Sequence, residues 1–96
     1  MTGRPIIDRA STPQLAPHMR LRFDKARAVW TVQAPEKTFL LDEIAQTIMS
    51  RCDGNATVQS IVEKLCVTFP DAPRDVIEKD VVALLQNFAD KGVISA

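Results

Sequence analysis

Two thiols, one imidazole and a pair of adjacent carboxylates are the side chains here whose chemistry could amount to a reaction. Cys52, Cys66 and His18 are three candidate zinc ligands. A structural zinc site takes four Cys or His ligands, usually including a close-spaced pair. Three ligands this far apart in sequence do not make one. A disulfide is not expected, because a cytosolic chain keeps its thiols reduced; both cysteines read as buried and inert. His18 follows Pro17 in a proline-containing lead-in and reads as a solvent-exposed residue, not a base. Asp42 and Glu43 are neighbours, and successive positions on a helix do not face each other. Gly3, Gly54 and Gly92 are too scattered to cradle a phosphate. The sequence therefore predicts a protein that is not an enzyme, with no metal and no cofactor.

The chemistry that remains is that of an unpaired backbone. Thr38-Phe39-Leu40-Leu41 is rich in β-formers and carries neither proline nor charge; Pro35 and Lys37 guard only its start. An open sheet edge presents free N–H and C=O groups. An extended peptide can add there as a further strand, its backbone giving affinity and its alternate side chains giving selection. Further along, Ile77, Val81, Leu84, Leu85 and Phe88 share one arc at about 100° per residue. Val82 and Ala89 fall on the flank of that arc. Two readings of the flank stand side by side: a wider buried face, or one wall of a groove beside the edge strand.

Three strands and three helices must position these features. Met19, Leu21 and Phe23 alternate with Arg20 and Arg22, a period-2 strand. Residues 24–27 are polar and turn-like. Ala28, Trp30 and Val32 then mark a second strand, so the two read as an antiparallel hairpin. Pro35 closes it. Residues 37–41 form a third strand that runs into a helix capped by Asp42. Ile44, Ala45, Ile48, Met49 and Cys52 follow at helical spacing until Asp53-Gly54. Thr57 caps the second helix, whose stripe is Val58, Ile61, Val62, Leu65, Cys66 and Phe69 before Pro70. Pro73 suits the first position of the third helix, with Asp75 in its first turn. Gly92 ends it, and Val93-Ile94 return as a short apolar tail. The order β-β-β-α-α-α predicts an α+β fold. It is winged-helix-like, a three-stranded antiparallel sheet followed by three helices. Residues 1–18 hold Pro5, Pro13 and Pro17 with little periodicity. They are expected as a flexible lead-in to a single domain over residues 19–96.

Composition agrees with one globular domain: of 96 residues, 46% are hydrophobic and 25% charged. The longest apolar run, residues 81–85, is too short to cross a bilayer. No signal-peptide stretch opens the chain, so a cytoplasmic protein with no membrane partner is expected. The 12 basic and 12 acidic side chains cancel, but residues 1–37 carry a net +4 and residues 38–96 a net −4. A winged helix that reads DNA needs cationic flanks on its recognition helix. Residues 73–91 carry a net −1, so no nucleic acid is expected. DNA binding through the basic hairpin, and self-association through the free edge, stand as the alternatives to peptide capture.

Pro13-Gln-Leu15, Arg20-Leu-Arg-Phe-Asp24, Trp30-Thr-Val-Gln-Ala-Pro-Glu-Lys37, Leu41-Asp-Glu-Ile-Ala45, Cys52-Asp-Gly54, Thr57-Val58, Ile61, Asp80-Val81 and Lys91-Gly-Val-Ile94 together resemble the PqqD family of pyrroloquinoline quinone biosynthesis. The resemblance covers about residues 13–95. It implies a peptide chaperone, a RiPP recognition element. Such a domain binds a ribosomally made precursor peptide by strand addition and presents it to a radical S-adenosylmethionine enzyme. It implies no catalysis, no metal and no cofactor in the domain itself. Mapped onto this chain, the peptide site falls at Lys37, Thr38, Phe39, Leu40 and Leu41 and along Ile77, Asp80, Val81, Leu84 and Leu85. The flank argument adds Val82. Arg20, Arg22 and Arg27 are expected to meet the partner enzyme, and the protein is expected to be a monomer. Asp42 stands where many relatives carry Asn, and either caps a helix. Some members are fused to the oxidase of the last step, so a free-standing chain and part of such a fusion are both open.

Overall fold

Alternation along the first third of the chain gives an antiparallel meander. The computed structural model describes residues 6–95. After a short β1 (Gln14–Leu15), β2 (Arg20–Asp24) pairs with β3 (Val29–Gln33), and β3 pairs with β4 (Thr38–Leu41), in the order β2-β3-β4. Across the inner face Leu21, Val32 and Phe39 lie abreast, as do Phe23, Trp30 and Leu41. Asp24 Oδ1 accepts from the N–H groups of Ala26 (3.0 Å) and Arg27 (3.2 Å) in the β2–β3 turn. The chain leaves this turn through Ala28 at φ 58°. A side chain in that left-handed region costs about 1–2 kcal/mol. Ala28→Gly is therefore expected to stabilise the fold by about 0.5–1 kcal/mol, after the greater unfolded-state entropy of glycine. A higher urea midpoint at unchanged m would register it.

Each helix starts where its cap is. Asp42 accepts from Ala45 N–H at 2.7 Å to open α1 (Glu43–Met49). Thr57 Oγ1 accepts from Ser60 N–H at 3.1 Å to open α2 (Val58–Thr68). Pro73 is the N-cap of α3 (Arg74–Asp90), one place earlier than its expected role inside the first turn. α1 is shorter than its apolar spacing predicts. The N–H groups of Arg51 and Cys52 reach back only three residues, to Ile48 and Met49, which tightens the last turn and ends the helix. Asp53 then bonds the N–H groups of Asn55 and Ala56, and Gly54 turns the chain at φ 83°. The core lies between the inner sheet face and the three helices, around Val32, Ile48, Met49, Ile61, Leu65, Val81 and Leu85. The expected three-stranded sheet followed by three helices is the architecture observed.

The lead-in is where structure and expectation part. β1 (Gln14–Leu15) pairs antiparallel with β5 (Ile94–Ser95), a second small sheet built from both ends of the described chain. Ile7 is buried, and its N–H donates to Gln86 Oε1 at 2.9 Å. Arg9 forms an ion pair with Glu78 at 2.8 Å. Backbone bonds run from Gly54 N–H to Pro13 O (3.0 Å) and from Val58 N–H to Ser11 O (2.9 Å). Two-residue strands and single apolar anchors have no period to detect, so alternation could not reveal them.

Candidate peptide-binding edge

The hydrogen-bond parity of β4 decides what its free side offers. Ala34 N–H donates to Lys37 O at 2.8 Å where the β3–β4 hairpin closes. In an antiparallel ladder, hydrogen-bonded and non-hydrogen-bonded pairs alternate. Given the register, Val32–Phe39 and Trp30–Leu41 are the bonded pairs. Gln33–Thr38 and Thr31–Leu40 are the others. Thr38 and Leu40 thus direct their N–H and C=O groups away from β3, on the side where the sheet has no further strand. Their side chains lie on the outer face and are exposed, Leu40 by 58%.

Two hollows flank this edge. One, about 360 Å³, lies at the start of β4 and is lined by residues that include Met19, Pro35, Lys37, Phe39 and Lys91. The other, about 390 Å³, opens at its end between α1 and α3, where Asp42, Ile44, Ile48, Asp80, Leu84 and Asn87 meet. Phe39 stacks edge-on against Phe88, with ring centroids 5.7 Å apart, so α3 packs against the strand.

The expected site residues divide between the open edge and the core. Lys37, Thr38, Phe39, Leu40, Asp80 and Leu84 lie along the edge or in its hollows. Ile77, Val81 and Leu85 are core, and Leu41 turns inward at 5% exposure. None of the four faces the open side of β4. Val82 is the clearest departure: it lines an outer hollow with Arg9, Glu78 and Gln86. At helical spacing Val82 shares a face with Glu78 and Gln86, whereas Leu84 shares one with Asp80 and Asn87. Sequence reasoning missed Ile44, which it placed in the helical core stripe; it is 46% exposed. It also left Lys91 out of the site, counting it in the net charge of residues 73–91 and in the Lys91-Gly-Val-Ile94 motif, although it lies over the Phe39 ring. Tertiary contacts, absent from any periodicity, carry both. Arg20 and Arg22 are exposed on β2, the opposite edge strand, and Arg27 sits 3.9 Å from Asp24 in the turn.

Neither thiol lines the two hollows beside this edge. Burial, and secondarily the charge of Asp53, pushes the Cys52 thiol up to about 12; its Sγ donates to Ile48 O at 3.4 Å. Cys66 is only half-buried. Because the thiolate is the reactive form, iodoacetamide at about pH 8 is expected to modify Cys66 and leave Cys52 intact in the folded protein. Peptide mapping by mass spectrometry reads the outcome. Among the described residues no cluster of three or more His, Cys, Asp or Glu is placed to hold a metal ion, and no helix is long and apolar enough to cross a membrane.

Known proteins share this arrangement. Residues 30–94 match the family described as Coenzyme PQQ synthesis protein D (PqqD). The PqqA binding protein of Rhodopseudomonas palustris (strain BisB5) is 42% identical over 96 residues, 99% of this chain and 93% of that protein. That of Gluconobacter oxydans (strain 621H) is 40% identical over 95 residues, 98% of each. The solution structure of the PqqD truncation of Methylobacterium extorquens PqqCD, described as a functional, stand-alone RiPP recognition element, superposes with a TM-score of 0.80 at 36% identity. The match covers 94% of this chain and 95% of that one. The crystal structure of PqqD from Xanthomonas campestris superposes at 0.58, also at 36% identity, over 94% and 99% of the two chains. Sequence relatives across nearly the whole length and a matching fold lead to one conclusion: the chain belongs to the PqqD family.

Proposed function

We propose that the chain captures PqqA, the ribosomally made precursor of pyrroloquinoline quinone, as a strand added to β4. The outward N–H and C=O groups of Thr38 and Leu40 carry this reading. They are unpaired rungs beside apolar hollows, the arrangement that strand addition requires. The inner-facing side chains of the added strand would meet Phe39 and Leu84, and the outer ones Leu40. The proteins named as PqqA binding proteins, and the recognition element of known fold, support the same reading. The chain acts as a non-catalytic, cytoplasmic monomer that hands the ordered peptide to a radical S-adenosylmethionine enzyme. The exposed Arg20 and Arg22, on the opposite edge, remain free to contact that enzyme while the peptide is held.

Ordering a flexible peptide on binding costs about 2–5 kcal/mol of the gross interaction. A net affinity between high nanomolar and low micromolar, roughly −8 to −10 kcal/mol, is consistent with capture and release. Titrating isotope-labelled protein with PqqA tests the site. The amides of Thr38 and Leu40 should shift most, with Leu84 and Ile44 following. Spectra unchanged at these residues, or sedimentation showing a concentration-dependent dimer whose dissociation exposes β4, would overturn it.

A further inference from the structure

The docking edge is electrically polarised, and two elements set the polarity independently. At the start of β4, Lys37 Nζ lies 5.8 Å and Lys91 Nζ 5.6 Å from the centroid of the Phe39 ring, and Glu36 is the single carboxylate lining the same hollow, which leaves that end net positive. The ion pairs among the described residues are Arg9–Glu78, Arg27–Asp24 and Arg74–Glu63; none of them neutralises either lysine. At the other end, Asp42 and Asp80 face one hollow together. Five extended residues separate Lys37 from Asp42, roughly 17 Å. Eleven helical residues separate Asp80 from Lys91, again roughly 17 Å. Strand and helix run in opposite senses along the edge and set like charges at the same ends.

From this we infer that the edge selects the charge order of its peptide. Resting on the strand-addition reading above, it takes an extended segment of about five residues. That segment presents a carboxylate beside Lys37 and Lys91 and a cationic group beside Asp42 and Asp80, with apolar side chains between. Backbone pairing alone would accept many sequences in either direction. A segment laid in the reverse sense would place like charges together at both ends, and that repulsion rejects it. The lysines have a second function: their ammonium groups sit against the Phe39 ring, whose face favours cations, which holds them at the mouth of the hollow.

Calorimetric titration of synthetic PqqA at low and high salt tests the inference. The variants are K37E/K91E and D80K, with amide spectra confirming that each remains folded. Each is expected to bind PqqA about 5- to 10-fold more weakly at about 50 mM NaCl, and less than about threefold more weakly at about 500 mM, where charges are screened. Replacing one acidic residue of PqqA by lysine should restore binding to K37E/K91E and weaken binding to the wild type. If the wild type binds PqqA but either variant stays within twofold of it at low salt, or loses as much at high salt, the charge-order inference falls and strand addition stands. If the wild type does not bind PqqA, both fall.

Discussion

Leu40→Pro is expected to weaken PqqA binding by about 10- to 100-fold while the helices and the rest of the sheet remain folded. The parity of the β3–β4 ladder makes this a clean test. Leu40 N–H points to the free side, so proline removes a donor offered to the peptide and none offered to β3. Proline is tolerated on edge strands whose N–H faces outward, and the preceding Phe39 already has the extended backbone that proline demands. An incoming carbonyl left without its donor loses about 1–3 kcal/mol, and each 1.4 kcal/mol is about tenfold in affinity. Phe39→Pro would behave differently. Phe39 N–H belongs to the Val32 pair inside the ladder, so its loss should loosen the sheet and lower the melting temperature. Leu40→Pro binding within twofold of wild type would exclude β4 as the docking strand.

The second large effect separates support from contact on α3. Leu85 is fully buried, at 0% exposure, while Leu84 beside it lines the hollow at the end of β4. Leu85→Ala leaves a cavity among packed neighbours, and such truncations cost about 2–5 kcal/mol. In a domain of this size each kcal/mol moves the melting temperature by roughly 4–8 °C. A fall of at least about 8 °C is therefore expected, with PqqA affinity within about threefold of wild type well below the transition. Leu84→Ala should reverse the pattern. Its stability cost is small because the side chain is partly exposed, while the lost apolar contact weakens PqqA by about 5- to 10-fold. Thermal melts and titrations on the same two variants check both halves.

The contrast between these neighbours shows what the sequence could and could not disclose. Alternation in Arg20–Asp24 and Val29–Gln33 and the stripes of the second and third helices repeat often enough to reveal their elements and their order. The caps Asp42 and Thr57 announce themselves by residue type. The uncharged run Thr38–Leu41 marked the edge because proline and charge are what usually blunt one. Periodicity, however, places a residue on an arc and not against a neighbour. Leu84 and Val82 both sit beside the buried stripe of α3. Only the lead-in crossing the outer side through Ile7 and Arg9, and α1 lying on the other, tell the two apart. The same blindness hid Lys91, whose place over the Phe39 ring depends on a strand about fifty residues upstream in the chain.

The pairing of β1 with β5 joins the two extremities of the domain into one clasp. Gln14-Leu15 and Ile94-Ser95 pair with each other, and Gln14 also bridges to Asp53, which ties the clasp to the turn after the first helix. Deleting the final strand would remove the rungs to Gln14-Leu15 and leave the lead-in fastened by its bonds to Gly54, Val58 and Gln86. A load pulled through the two ends would be shared between those few rungs and the bonds that tie the lead-in to the helices.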